Sequence, residues 1–384
     1  MQSHEGRFSY RNLPGIVRRL LRGFRHACIA IALAGMVPLS AIAEDEHIQV
    51  DPDGTVHLPP RIIPLSNYLS PEARDFMIKR LSRKLPSEPD IAKLRAWVEK
   101  ELQPWVDLAK ERYPSEIVRT KIAGVPVYDI TPHAGIKPRN SNRILIHLHG
   151  GAFAVCEIGC ALSEAIPAAG IGGFHVVSVT YRQGPEHKFP AASEDVAAVY
   201  RELLKRYRPE NIGIFGCSAG GMLTAASLAW FQKHNLPRPG AAGLLCSGAA
   251  DFGGDAPFVQ WPIDDLTLTP PPTEGDRKGN RVELPPFEYF SGTNARDPLV
   301  QPGHFPEVLR QFPPTIIATG GRGFDASAAY DTHRRLWRVG VKTELHVWDG
   351  LPHGFHNNVS MPESRELFDV VMRFFDSNLG RRPR

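Results

Sequence analysis

The sequence predicts an α/β protein: a mostly parallel eight-stranded sheet with helices on both faces and a helical cap. Three observations carry this. From residue 115 onward short apolar runs alternate with helical stretches. Several of those runs are almost continuously apolar and bounded by turn residues, the pattern of parallel strands covered on both faces. The pentapeptide Gly216-Cys217-Ser218-Ala219-Gly220 joins one such run to a helical segment through a tight turn. At 384 residues the chain is long for one domain and suits a core with a cap.

In chain order, residues 1–43 read as a secretory signal. Six arginines, from Arg7 to Arg25, precede an apolar stretch from Ala27 to Leu39, and Ala41-Ile42-Ala43 supplies small residues before Glu44-Asp45-Glu46. A basic region, a short apolar region and an Ala-x-Ala site are the parts of a cleavable leader. The apolar run is too short for a permanent span, so no stable membrane insertion is expected after cleavage. An uncleaved N-terminal anchor is the rival reading, because the basic region is unusually long. The implied location is outside the cytoplasm, in a periplasm or beyond the cell.

Residues 44–114 form an extension. A Pro-rich stretch runs to about residue 70, and Ser70-Pro71-Glu72 then supplies an N-cap, a first-turn proline and an early acid. Apolar residues recur at helical spacing through Met77, Ile78, Leu81 and Leu85, and again through Ile91, Leu94, Trp97 and Val98. These helices are either a lid or a packing layer.

Residues 115–380 form the core. Strands are expected over Glu116–Ile122 and Val125–Ile130 as an antiparallel pair, then over Arg143–Leu148, His175–Tyr181, Asn211–Phe215, Ala242–Cys246, Pro314–Thr319 and Lys342–Trp348. Helices fit Ala191–Tyr207, Ala219–His234, Ala326–Val339 and Glu363–Leu379. Between about 251 and 306 the pattern lapses into a loop-rich insertion whose Phe258, Trp261, Phe287 and Phe290 either line an acyl pocket or anchor the insertion.

Composition narrows the function classes. Six of the 45 basic residues and one of the 41 acidic ones fall in residues 1–43, so the remainder is close to neutral and nucleic acid is not an expected partner. No cofactor is implied and no zinc spacing is present. His147 and His149 alternate on one strand but have no third ligand nearby, so no metal is expected. Cys156 and Cys160 are close enough to bridge in an oxidising compartment, whereas Cys217 and Cys246 read as buried small hydrophobes.

The chemistry centres on Ser218. A serine at the apex of a strand-turn-helix junction, flanked by glycines that leave room for strained backbone, is a nucleophile elbow. Upstream, Leu145-Ile146-His147-Leu148-His149-Gly150-Gly151-Ala152-Phe153 carries a strand into a Gly-Gly turn whose N–H groups can face a ligand. Downstream, Leu351-Pro352-His353-Gly354-Phe355 places a histidine on a loop after a strand. With Tyr181-Arg182-Gln183-Gly184-Pro185-Glu186-His187-Lys188-Phe189-Pro190-Ala191, these motifs resemble the alpha/beta-hydrolase fold-3 family, the hormone-sensitive-lipase-like esterases, over roughly residues 110–380.

The resemblance implies an eight-stranded alpha/beta-hydrolase sheet, with Ser218 as nucleophile, His353 as base, and an oxyanion hole from the N–H groups of Gly151, Ala152 and Ala219. Ala152 stands where the family has a third glycine. The family's aspartate falls on Gly323, which cannot orient an imidazole. Asp325, two residues on, is the acid chosen here, although it also suits a helix N-cap. Asp331 lies farther along the helix.

The leading reading is an exported carboxylic ester hydrolase for small or short-acyl esters, a serine carboxylesterase with no cofactor, its oligomeric state left open between monomer and homo-oligomer. One alternative is a hydrolase-derived binding protein with an impaired triad, which Gly323 favours and Ser218 with His353 disfavours. The other is an amidase or peptidase on the same fold, which the lack of a preceding gating domain disfavours. The leader generates the first prediction: the exported protein begins at Glu44. N-terminal sequencing or intact mass decides it, and a membrane-bound species retaining Met1 would support the anchor instead.

Overall fold

The computed structural model describes residues 49–52, 56–57, 62–82, 90–250, 253–260 and 288–380. The leader, Trp261 and Phe287 lie outside the described residues, as does the side chain of Phe258. The chain divides into two units, Met1–Pro64 and Leu65–Arg384. In the first, β1 (Gln49–Val50) pairs antiparallel with β2 (Val56–His57).

The second unit begins with two helices, α1 (Pro71–Leu81) and α2 (Ile91–Arg112). Both start as their sequence dictates: Ser70 accepts from the Ala73 N–H and Asp90 from the N–H groups of Ala92 and Lys93. Strands β3 (Ser115–Ile122) and β4 (Val125–Pro132) follow as an antiparallel pair. Their two-residue connection, Ala123-Gly124, has positive φ at both positions (50° and 83°), which suits the twist of a hairpin.

The alternation then runs β5 (Ile144–Leu148), α3 (Gly159–Gly172), β6 (His175–Val179), α4 (Ala191–Leu203), β7 (Ile212–Cys217), α5 (Ala219–Lys233) and β8 (Ala241–Leu245). Two one-turn helices, α6 (Ala256–Val259) and α7 (Pro306–Leu309), precede β9 (Thr315–Gly320), α8 (Ala326–Arg338), β10 (Thr343–Trp348) and α9 (Pro362–Asn378). The eight-stranded sheet has the order β10-β9-β8-β7-β5-β6-β4-β3. It is parallel from β10 to β6, with β4 and β3 added antiparallel at one edge. Among the described residues no helix is long and apolar enough to cross a membrane.

Side-chain alternation divides the core into two layers. Ile144, Ile146, Leu148, Ile212, Ile214, Leu244 and Ile317 join the layer under α4, α5 and α8. Leu145, Val176, Phe215, Leu245, Ile316 and Ala318 join the layer under α3 and α9. Gly213 is a glycine because a Cβ there would stand 2.8 Å from the Phe375 ring of α9.

Helix α3 is the element that the sequence reading omits. Three of its glycines, Gly159, Gly170 and Gly172, are points of close approach. A Cβ on Gly159 would meet Leu102 at 2.7 Å, one on Gly170 would meet Tyr113 at 2.7 Å, and one on Gly172 would meet Met372 at 2.7 Å. Ile158 at its N-cap offers no side-chain acceptor. The Glu99 carboxylate of α2 substitutes, accepting from Ile158 N–H (3.0 Å) and Gly159 N–H (2.6 Å).

The two N-terminal helices pack as a layer. Arg95 of α2 donates to Ala154 O (2.7 Å), to Gly184 O (2.8 Å) and to both oxygens of Glu186. Ser70, at the start of α1, gives its N–H and hydroxyl to Glu363 at the start of α9. Because α3 has no cap of its own, Glu99→Ala should cost about 0.5–2 kcal/mol, the range for losing an N-cap. A lower urea midpoint at unchanged slope is the expected result.

Candidate active site

Strand β7 ends at Cys217, and Ser218 turns sharply with φ 58° and ψ −123° before α5 begins at Ala219. This left-handed backbone is disfavoured for a serine. It is held by the Ser218 N–H, which donates to Leu245 O of β8 at 2.9 Å. The flanking glycines are obligatory, since a Cβ on Gly216 would lie 2.2 Å from Leu148 O and one on Gly220 only 1.8 Å from the same atom. The turn of α5 is pressed against the end of β5.

From that end of β5 the chain passes through Gly150, whose added Cβ would lie 3.5 Å from the Ser218 Cβ. Gly151, Ala152 and Phe153 then all have positive φ (98°, 59° and 57°). Gly151 O accepts the N–H groups of Ala154 and Val155, both at 2.9 Å. Only glycine fits position 151, because a Cβ would lie 2.0 Å from Val155 O. Among the described residues the N–H groups of Gly151 and Ala152 donate to no acceptor. Ala219, first in its helix, has no intrahelical acceptor for its own. Cys156 and Cys160 are joined in a disulfide beyond this turn.

His353 follows β10 on a short turn, and its Nδ1 is 2.7 Å from Asp325 Oδ1. Asp325 is fully buried and also accepts the Thr319 hydroxyl. It stands at the N-cap of α8, but its side chain caps nothing. A Cβ on Gly323 would lie 2.5 Å from that same Asp325 oxygen, so the carboxylate fills the room a side chain at 323 would need. Asp331 is engaged by Arg334 and Arg335 on its own helix.

The serine and histidine turns meet through Cys246, at the end of β8. Its sulfur accepts the Gly354 N–H at 3.3 Å and lies 3.7 Å from His356 Nδ1, while a ligand atom of Cys217 lies within 4.8 Å of both Cys246 and His356. Residue 217 precedes the serine and residue 354 follows the histidine.

Behind these turns is a buried polar group that the sequence reading saw only as His147 and His149. His147 Nε2 lies 2.9 Å from Glu164 Oε2 and its Nδ1 2.8 Å from the Ser178 hydroxyl. His149 Nδ1 is 2.8 Å from Gly150 O, and its ring stacks on Tyr181. Burial pushes the Glu164 carboxyl up to about 7 and His147 down to about 3. Between those values both groups are neutral, and the contact is a hydrogen bond between uncharged partners. No spacing rule links Glu164 to His147, because they meet only when α3 lies on β5.

Of the insertion aromatics, Phe290 is buried as an anchor. Its ring is edge-on to Phe153 (5.0 Å) and to Tyr289 (4.9 Å).

A family model described as alpha/beta hydrolase fold matches residues 145–357, more than half of the chain. An acetyl-hydrolase of Streptomyces hygroscopicus is 29% identical over 257 residues, covering 63% of this chain and 78% of that protein. An esterase of Acinetobacter venetianus is 24% identical over 289 residues, covering 72% and 88%. Among solved structures, esterase E25 superposes with a TM-score of 0.70 at 28% identity, over 84% of this chain and 98% of that one. An esterase of the bacterial hormone-sensitive lipase family shares the fold with a TM-score of 0.69 at 24% identity, over 81% and 99%.

The contact between Leu148 O and the helix start predicts the effect of one methyl group. Gly220→Ala should destabilise the protein by about 1–3 kcal/mol, the usual cost of overpacking. The measurement is a lowered thermal midpoint.

Proposed function

The chain belongs to the alpha/beta-hydrolase fold-3 family of hormone-sensitive-lipase-like esterases, and on that premise we propose that it is an exported serine carboxylesterase acting on small or short-acyl esters. The observation that carries the serine mechanism is the buried Asp325 carboxylate 2.7 Å from His353 Nδ1. A carboxylate there fixes the imidazole tautomer, leaves Nε2 as the proton acceptor and stabilises the imidazolium that forms.

In this reading Ser218 Oγ attacks the ester carbonyl and loses its proton to His353 Nε2. The carbonyl π pair moves onto oxygen, where the N–H groups of Gly151, Ala152 and Ala219 stabilise it. Collapse expels the alcohol, which takes the proton from His353, and leaves acyl-Ser218. Water, deprotonated in turn by His353, releases the acid and restores the serine.

The acetyl-hydrolase relative supports small acyl groups. The anchoring of α2 through Arg95 and Glu99 supports a packed layer in place of a swinging lid. Export is supported by the leader and by the Cys156–Cys160 bridge, which suits an oxidising compartment. A binding-protein reading drew on Gly323 as an emptied acid position, and with Asp325 on His353 no observation favours it.

Ser218→Ala should lower turnover of short aryl esters on the order of 10⁶-fold and abolish labelling by a serine-directed phosphonate. Asp325→Asn should lower turnover about 10⁴-fold, and Gly323→Asp should give no gain. Wild-type turnover in Ser218→Ala would overturn the mechanism. A large gain in Gly323→Asp with no loss in Asp325→Asn would move the acid elsewhere.

A further inference from the structure

The chain holds two thiols that the proposed ester chemistry does not use. Cys217 ends β7, Cys246 follows β8, and His356 lies in the turn after β10; all three are buried, and one ligand atom of each lies within 4.8 Å of the other two. The Cys246 Sγ to His356 Nδ1 separation is 3.7 Å. Two ligands at tetrahedral angles on a zinc ion, with bonds of about 2.3 Å to sulfur and 2.0 Å to nitrogen, stand about 3.5–3.8 Å apart.

A second observation lies on the far side of the same imidazole. His356 Nε2 and Glu164 Oε1 are both buried without a hydrogen-bond partner among the described residues, and they face each other at 3.9 Å. A histidine that ligates through one nitrogen characteristically offers the other N–H to a carboxylate, which fixes its tautomer. Glu164 is placed for that role once Nδ1 is committed to a metal.

We propose that Cys217, Cys246 and His356 supply three ligands of a zinc site behind the serine turn, with Glu164 orienting the imidazole and a water completing the tetrahedron. Binding converts two thiols to thiolates and releases two protons to solvent; the ion, two thiolates and a neutral imidazole sum to zero charge, which the surrounding apolar layer tolerates. The site would tie together the ends of β7 and β8 and the turn carrying His353. It is independent of which ester the enzyme hydrolyses.

The test is the full chain expressed in medium carrying cobalt in place of zinc, so that the ion is present as the protein folds. The expected result is one cobalt per chain, with a thiolate-to-cobalt band in the near ultraviolet and intense visible bands of a tetrahedral ion. Cys217→Ser, Cys246→Ser and His356→Gln should each diminish the thiolate band. Glu164→Leu, which removes the acceptor, should weaken cobalt binding about 10- to 100-fold. If those variants fail to fold, the wild-type spectrum decides, together with protection of Cys217 and Cys246 from alkylation in the zinc-grown protein. Absence of a thiolate band overturns the proposal. So does an undiminished band in the folded serine variants, or recovery of Cys217 and Cys246 as a disulfide.

Discussion

The carbonyl oxygen of Leu148 is the atom on which the site's geometry turns. Two glycines of the serine turn, Gly216 and Gly220, stand so close to it that neither could carry a Cβ. The same residue ends β5 and feeds the chain into the Gly150-Gly151 turn, so the serine and the unpaired N–H groups are referred to one common point. Their separation is therefore set by the spacing of β5 and β7, neighbouring parallel strands with Leu148 opposite Gly216. A sheet is the stiffest part of such a protein, and the loops at its edge acquire its precision. The left-handed Ser218 backbone, costing on the order of 1–3 kcal/mol, is sustained by the β8 carbonyl on one side and α5 on the other.

Behind the serine and histidine turns the protein stores polar groups in an apolar setting. Hydrogen bonding among neutral partners makes this tolerable: Glu164 Oε2, the His147 ring and the Ser178 hydroxyl bond to one another without a net charge. The arrangement ties α3 to β5 and β6 by direction as well as by apolar contact. Leucine side chains could fill the same volume but would not fix an orientation.

The sheet was legible in the sequence because its signal is local. Apolar or alternating runs between turn residues located every strand of the eight-stranded sheet to within a few residues, and the glycine pattern around Ser218 marked the turn. What could not be read depended on contacts between distant segments. Helix α3 was not named, and the reason for its glycines lies in Leu102, Tyr113 and Met372. Asp325 was named, but its local environment pointed equally to a helix cap; the burial of its carboxylate against His353 separates the two uses. Cys217, Cys246 and His356 come from three different strand ends, so no spacing along the chain reveals their proximity.

Helix α2 gives a lesson about modularity. Its Glu99 closes the start of α3, and its Arg95 holds the carbonyls of Ala154 and Gly184 together. Both anchor points border the Gly151 turn, one directly and one through α3. An N-terminal segment transplanted from another esterase would thus bring a different brace for this loop. The backbone of that loop depends on α2 in this chain, and a graft that omits an equivalent of either residue would loosen it.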